Sequence, residues 1–285
     1  MVFKILFAAP ENRDLLISLL TAVLQPSSPI ASVDVLNPEM PKDLVTDKGA
    51  VLDLRLALGD GRQIDVEMQA ELRPGMRSRA LYYWARMYGA QLRPGMAYDE
   101  LQPCVAIFIL GYAELPSSRF HCTFQVLEVH GGERLSDQLE VHMVELPKLP
   151  ARGGGQSEEA LLEDWGRFLW ARSDQELEEV AMSNPVMAKA KGALDSLSAQ
   201  PEVQELARQR ELALSNWATG VRTARAEGQV EGRAAALVAM LEARGLSVSD
   251  AQRARITGCT DIATLDRWIV RAATAGSAEK ALGHE

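Results

Sequence analysis

Two alternating apolar runs separated by a short glycine-rich turn constrain the fold more than any other feature of this chain. They cover residues 51–58 and 63–69, and Gly59-Asp60-Gly61 lies between them. Alternation of apolar and polar residues is typical of half-buried β-strands, and two such runs around a glycine-containing turn predict a hairpin. This hairpin carries carboxylates next to its apolar face, where an ionised group is costly unless it is paired or binds a cation.

The length of the turn decides which side chains oppose each other. A two-residue turn at Asp60-Gly61 would pair Asp53 with Met68 and mix the polar and apolar faces. A three-residue turn, with Gly61 in the left-handed region, pairs Asp53 with Glu67 and keeps the apolar side chains together. Because a one-residue slip moves every side chain to the wrong face, we expect the three-residue turn.

The opposed pair of Asp53 and Glu67 has a chemical consequence. Opposed residues have Cβ atoms about 4.5–5.5 Å apart, and two carboxylates that close repel each other unless a proton or a cation lies between them. A hard divalent ion such as Mg²⁺ suits the pair, because it needs only one or two protein carboxylates. Gln69 shares this face and can hydrogen-bond to water or a phosphate oxygen. The alternative is a solvated sheet face on which Arg55 neutralises the acids.

The remainder of the first half predicts an α/β domain over residues 1–150. The other predicted elements are helices over residues 3–23 and 76–92 and strands over residues 33–36, 105–110, 120–129 and 139–146. The wholly apolar run 105–110 is typical of a strand buried on both faces of a sheet. We therefore expect a mixed sheet that is flanked by helices.

The composition changes after residue 150. Pro150 and Gly153-Gly154-Gly155 predict a domain boundary, and the residues beyond it predict a helical domain over 151–285. In this domain, small residues at every fourth position predict a helix over 217–236 that closely approaches another helix, with a flexible coil as the alternative. Those small residues are Gly220, Ala224, Gly228, Gly232 and Ala236. The residues that follow predict a small helical bundle for packing or homo-oligomerisation.

Charge and composition exclude several classes of protein. The net charge of −9 gives no general attraction to nucleic acid or to anionic membranes, so DNA binding requires a local basic patch. Three widely spaced cysteines argue against a disulfide framework or a zinc site. The apolar runs are far shorter than the roughly 20 residues of a membrane-spanning helix. We expect a cytoplasmic protein with no membrane partner.

An ordered series of short motifs runs through about the first 150 residues. The motifs are Phe3-Lys4-Ile5-Leu6-Phe7, Leu36-Asn37-Pro38-Glu39, Asp47-Lys48, Leu52-Asp53-Leu54, Val66-Glu67-Met68-Gln69, Arg79-Ala80-Leu81-Tyr82-Tyr83, Gln91-Leu92-Arg93-Pro94-Gly95 and Leu101-Gln102-Pro103. This series resembles the PD-(D/E)xK nuclease-type transposases, also called Rpn recombination-promoting nucleases. The resemblance implies a restriction-endonuclease-like core and a Mg²⁺-dependent enzyme, with Mn²⁺ as a substitute ion, that hydrolyses DNA phosphodiester bonds.

The resemblance also assigns roles to individual residues of the hairpin. Asp53 matches the motif aspartate and Glu67 the motif glutamate, so both are expected to be catalytic residues and metal ligands. The backbone carbonyl of Met68 is expected to complete the protein's share of the metal ligands. Gln69 stands where the wider superfamily has a lysine, as is usual in this branch, and is the third expected catalytic residue.

Three residues outside the hairpin are accessory candidates. Lys48 or Lys4 can supply the positive charge that Gln69 lacks. Glu11 resembles an acid that many members of the superfamily direct towards the metal. Its alternative role is a favourable charge in the first turn of a helix.

The segment from residue 72 to residue 98 carries arginines and tyrosines but no acid. The expected DNA-binding residues are Arg73, Arg77, Arg79, Arg86 and Arg93. Because no base-reading motif accompanies them, we expect an endonuclease or transposase with little sequence specificity; an ordinary solvated helix face is the alternative for the segment. Two other functions stay open, a catalytically inactive nuclease fold that binds DNA and a scaffold that acts through the helical half.

Overall fold

A computed structural model describes residues 2–36, 53–72, 74–151 and 159–283. The chain divides into two compact units, Met1–Gln204 and Glu205–Glu285. The first unit contains the whole sheet and the helices up to residue 198, and the predicted boundary at residues 150 and 151 falls inside it. No described helix combines the length with the apolar composition that crossing a bilayer requires.

Six strands form one mixed sheet in the first unit, as predicted. They are β1 (Val33–Leu36), β2 (Leu54–Leu58), β3 (Gln63–Gln69), β4 (Cys104–Leu110), β5 (His121–Phe124) and β6 (Leu139–Glu145). Their spatial order is β1-β2-β3-β4-β6-β5, and β3, β4 and β6 are parallel to each other. The prediction of a strand to residue 129 was too long, because β5 ends at Phe124 and an isolated bridge between Leu127 and Arg134 holds the turn that follows.

Six helices flank this sheet. They are α1 (Val2–Ala8), α2 (Arg13–Leu24), α3 (Met76–Gly89), α4 (Ala160–Trp170), α5 (Asp174–Ala181) and α6 (Pro185–Ser198). The single helix predicted over residues 3–23 is interrupted between α1 and α2. Proline disfavours a helical conformation in the residue before it, and Ala9 is accordingly extended, with φ −64° and ψ 128°, before a short 3-10 turn over Pro10–Asn12.

The two faces of the sheet pack against different helices. One face carries apolar side chains such as Leu56, Ile64 and Ile107, and packs with residues of α1, α2 and α4 in the main core. On the other face, α3 packs Met76 and Ala80 against Phe108 and its neighbours. Every residue of β4 is buried, which confirms the prediction of a central strand.

The hairpin of β2 and β3 has the predicted register. Leu54 lies opposite Val66 and Leu56 lies opposite Ile64. Gly61 is in the left-handed region, with φ 92°, and the turn closes where the Leu58 amide donates to the Arg62 carbonyl at 2.9 Å. The same three-residue turn also predicts that Leu52 pairs with Met68, but Leu52 lies outside the described residues.

A buried polar cluster joins the edge strand β5 to β6, on the face opposite α3. His142 is only 2% exposed. Its Nδ1 lies 2.9 Å from Nε2 of His121, and its Nε2 lies 2.6 Å from Oε1 of Glu140. The other oxygen of Glu140 accepts a hydrogen bond of 2.7 Å from Gln125. Both ring nitrogens of His142 and both oxygens of Glu140 are therefore occupied by protein partners.

The second unit is helical, as predicted. Its helices are α7 (Pro201–Ala243), which begins in the first unit, α8 (Asp250–Thr257), α9 (Ile262–Ala272) and α10 (Ala278–Leu282). The last turns of α7 pack with α8, α9 and α10 around Leu237, Leu265 and Trp268. The helix predicted over 217–236 lies within α7, but no other described helix approaches its glycines. A methyl group added at Gly220, Gly228 or Gly232 would meet no described atom within 4 Å.

Candidate active site

The acids predicted to oppose each other are adjacent, and each carboxylate accepts a hydrogen bond from a backbone amide of the opposite strand segment. Asp53 immediately precedes β2, and its amide donates to Oε1 of Glu67 at 2.8 Å. The amide of Met68 donates to Oδ2 of Asp53 at 3.1 Å. These two hydrogen bonds hold both carboxylates at one end of the hairpin, with the Met68 backbone beside them.

Glu67 is strongly affected by its surroundings. It is 5% exposed, and its Oε2 accepts a hydrogen bond of 3.2 Å from the guanidinium of Arg79. Burial, and then the negative charge of Asp53, raises the pKa of Glu67 to about 7, even though Arg79 and Lys4 act in the opposite direction. The loss of hydration therefore outweighs the nearby cations. Any further positive charge near Glu67 would stabilise its ionised form.

Arg79 is the predicted arginine that reaches the acids. After β3, the chain turns at Gly75, which has φ 78°, and α3 begins at Met76. This turn places the first part of α3 over the end of the hairpin. The Arg79 guanidinium carbon also lies 4.8 Å from the centre of the Tyr83 ring, a cation–π contact that fixes its direction.

The other predicted arginines have different surroundings. Arg77 is exposed and donates to the side chain and the carbonyl of Glu114, at 3.1 and 2.7 Å. Arg86 is half-buried on α3. Arg93 is exposed beyond the end of α3, and no described hydrogen bond or ion pair joins it to Asp53 or Glu67. Arg73 lies outside the described residues.

The accessory candidates are likewise separated. Lys4 is half-buried on α1, and its charge acts on Glu67. Glu11 is exposed in the 3-10 turn, and no described contact joins it to Asp53 or Glu67. Lys48 lies outside the described residues.

Gln69 is the last residue of β3, and its strand is fixed closely to β4. The Gly111 amide donates to the Gln69 carbonyl at 2.8 Å. A Cβ atom at Gly111 would lie 2.5 Å from the Ala70 carbonyl oxygen, so this close approach requires glycine. The position of Gln69 relative to the acids is therefore set by the backbone.

A family model described as PD-(D/E)XK nuclease family transposase matches residues 1–224. The chain belongs to this family. The matched residues include all six strands and the pair of acids. No curated protein and no solved structure gave a significant match.

Nucleases of the PD-(D/E)XK family typically use divalent metals, and the donor atoms of this site suit such an ion. The carboxylates of Asp53 and Glu67 and the carbonyl of Met68 are hard oxygen donors, which Mg²⁺ prefers. Within the described ranges, no group of three or more His, Cys, Asp or Glu side chains could hold a metal. The site therefore fits an ion that takes one or two protein carboxylates and keeps water molecules.

Sequence reasoning overlooked one residue beside the pair of acids, Asp65. It is completely buried, and among the described residues neither of its oxygens has a hydrogen-bond partner. Burial, and then the charges of Glu67 and Asp53, raises its pKa well above the usual range. The strand alternation that places Asp65 on the face of Glu67 was the available signal. Glu67 does not lie on the solvated face of the alternative interpretation, whereas Asp53 is half-buried.

Proposed function

We propose that this chain is a divalent-metal-dependent endonuclease that hydrolyses DNA phosphodiester bonds with little sequence specificity. The observation that carries the proposal is the hydrogen-bonded pair of half-buried Asp53 and buried Glu67 at one end of the hairpin. Two carboxylates that close are unfavourable in a protein unless a proton or a cation joins them. Membership of a nuclease family supports the view that this cost serves the binding of a metal ion.

Asp53, Glu67 and the Met68 carbonyl would hold Mg²⁺, with Mn²⁺ as a substitute. When bound, the ion polarises the phosphoryl oxygen and lowers the pKa of the attacking water. Gln69 would orient water or a phosphate oxygen, because its amide can both donate and accept hydrogen bonds. An amide carries no charge, so Gln69 cannot stabilise the negative transition state as a lysine would.

We assign this missing charge to Arg79. Its guanidinium lies 3.2 Å from Glu67, which is close enough to the acids to reach a phosphate held there. Arginine stays protonated at any physiological pH and binds phosphate with two parallel hydrogen bonds. Lys4 is a second cation near the same acids, whereas Lys48 remains a candidate from the sequence alone.

The remaining arginines would bind the DNA backbone on either side of the cleaved bond. These residues are Arg73, Arg77, Arg86 and Arg93. Contacts to phosphate fix the orientation of a protein on DNA but carry no sequence information. We therefore expect binding that weakens steeply with salt and cleavage at many sites.

A plasmid-nicking assay with Mg²⁺ or Mn²⁺ tests the proposal. The variants are Asp53→Asn and Glu67→Gln, and Asp34→Asn is the matched control, because it removes one charge from an exposed position of the same sheet. Wild type and control should nick DNA, and EDTA should abolish the activity. Each active-site variant should lose at least about a thousandfold, since metal catalysis contributes several kcal/mol.

Two results would refute the nuclease proposal. One is equal activity in all four proteins, and the other is no activity in any of them across a range of metals and salt concentrations. DNA binding that persists without cleavage would instead favour the inactive, DNA-binding form of the fold. The observation that favours this second candidate is the neutral Gln69.

A further inference from the structure

Asp65 is a buried carboxylate whose hydrogen-bonding capacity is unused. Both of its oxygens, together with Nε of Arg55 and Nε of Arg79, are buried and have no hydrogen-bond partner among the described residues. Arg55 lies directly opposite Asp65 in the hairpin, yet its guanidinium donates to Gln63 at 3.2 Å. Carboxylates and guanidinium groups that are meant to pair usually form short, parallel hydrogen bonds. These groups are therefore not arranged as a structural ion pair.

Asp65 lies between Arg55 of β2 and a small residue of β4. Its neighbour on β4 is the small residue Ala106, whereas Phe108 lies beside Glu67. Asp65 and Glu67 are two positions apart on one strand and share a face, which corresponds to about 6.6 Å along the strand. Both face α3, and the charges of Glu67 and Asp53 act on the Asp65 carboxyl group, so Asp65 is close to the proposed metal site.

We infer that Asp65 is a positioning residue that accepts hydrogen bonds from the water molecules around the divalent ion. This inference rests on the proposed function. Contact through water agrees with the finding that, in the described part of the chain, no three acids could hold a metal together. Mg²⁺ usually keeps several waters, and residues that orient the ligands from outside the first shell alter metal affinity substantially.

A purely structural role makes the opposite prediction. If Asp65 stabilised the fold through Arg55 and Arg79, its removal would take a negative charge away from two half-buried cations and would lower stability. If Asp65 instead serves the ion, it is an unfavourable buried group in the metal-free protein. Its removal should then leave stability unchanged or increase it, while weakening metal binding.

The experiment measures Mn²⁺ binding to the full chain by electron paramagnetic resonance of the free ion, and thermal unfolding in EDTA. The test variant is Asp65→Asn, with Glu67→Gln as the positive control and Asp34→Asn as the charge-matched negative control. Asp65→Asn should raise the Mn²⁺ Kd by about tenfold to a hundredfold with an equal or higher Tm. Asp65→Ser, whose side chain is smaller and neutral, should have the same effect on Kd and Tm. It replaces Asp65→Asn in the test if the asparagine variant does not fold.

The outcomes separate the inference from the proposed function. If Glu67→Gln loses Mn²⁺ affinity and Asp65→Asn keeps a Kd within twofold of wild type, the inference alone is wrong. A lower Tm for Asp65→Asn with unchanged affinity would assign it the structural role. If wild type does not bind Mn²⁺, or Glu67→Gln binds it equally well, the proposed function fails and the inference fails with it.

Discussion

Two buried polar clusters lie on opposite faces of the same sheet, and they differ in how completely their hydrogen bonds are formed. In the histidine cluster of β5 and β6, both ring nitrogens of His142 have protein partners. In the acid cluster of β2 and β3, Glu67 has partners, but both oxygens of Asp65 have none among the described residues. Each cluster has a buried centre, His142 in one and Asp65 with Glu67 in the other, so burial alone does not distinguish them.

The difference separates a polar group that stabilises a fold from one that is ready for a ligand. Buried polar groups are almost always paired, and each exception in a native structure calls for an explanation. A fully bonded network such as the histidine cluster makes one arrangement of the strands specific. The incomplete acid cluster costs stability, and local sequence rules are broken in this way mainly at functional sites.

The largest expected effect is the loss of DNA nicking, which should follow from substitutions in the acid cluster and not from substitutions in the histidine cluster. Glu67→Gln should reduce DNA nicking by at least about a thousandfold, whereas His142→Asn should leave the nicking rate of the folded protein unchanged. His142→Asn should instead lower the free energy of unfolding by about 2 kcal/mol, because Glu140 loses its bonded partner. Nicking assays and urea unfolding of both variants measure this, and a His142 variant that is stable but inactive would contradict it.

The two clusters should also respond to pH in opposite directions. For the histidine cluster, burial and then the charge of His142 lower the pKa of His121 to about 4, from an ordinary value of 6.5. Between these values the unfolded chain binds a proton that the folded chain does not. Stability that is present above pH 6.5 should therefore be lost as the pH falls towards 4, by up to about 3 kcal/mol.

Urea unfolding at pH 4, 5, 6 and 7 measures this dependence. His121→Gln removes the titrating ring, so the free energy of unfolding of this variant should not show the fall between pH 6.5 and pH 4 that depends on His121. Parallel pH curves for wild type and variant would show that His121 does not titrate in this way.

For the acid cluster, the sign is reversed. Because the pKa of Glu67 is raised from 4.5 to about 7, the folded, metal-free chain keeps a proton that the unfolded chain has lost. Stability in EDTA should therefore fall as the pH rises from about 4.5 to about 7, by up to about 3 kcal/mol. Glu67→Gln should remove this fall and Asp34→Asn should retain it. A Glu67→Gln curve that follows wild type would contradict the prediction.

The smallest expected effect concerns Arg79, which donates a hydrogen bond to Glu67 in the acid cluster. Arg79→Gln should reduce nicking by about tenfold to a hundredfold, corresponding to the loss of one charge-assisted contact to phosphate. In the absence of DNA, Mn²⁺ should bind the variant at least as tightly as wild type, because Glu67 has lost a competing cation. Arg93→Gln, which changes an exposed arginine beyond the end of α3, is the matched comparison and should lose less activity. Weaker Mn²⁺ binding in Arg79→Gln would indicate that Arg79 only supports the fold.

Much of the fold follows from regular patterns in the sequence. The strict alternation around Gly61 predicted the register that aligns Leu54 with Val66, because only one turn length keeps the apolar side chains on one face. Pro10 alone did not predict the interruption after α1, because a proline can also occupy the first turn of a helix. The extended backbone angles of Ala9 show the interruption. The small residues of α7 predicted a helix correctly but not its surroundings, since a glycine can face a partner or open solvent.

The site was less predictable, because its chemistry depends on contacts between distant elements. Five arginines near the hairpin were equivalent candidates, and the start of α3 after Gly75 determines that Arg79 reaches Glu67. Asp65 was visible only as one more polar residue on an alternating strand. Its importance emerges when β4 and α3 cover it without supplying a hydrogen bond.

The ion pair of Arg79 and Glu67 has a further consequence for how ligands would assemble at the site. A divalent ion that binds Glu67 would free the Arg79 guanidinium to bind phosphate. A phosphate that binds the Arg79 guanidinium would in turn free Glu67 to bind the ion. Metal and DNA would then bind cooperatively, and each must strengthen the affinity of the other by the same factor. Under the proposed function, such coupling would allow cleavage only when metal and DNA are both bound, and would limit unwanted cleavage of other DNA.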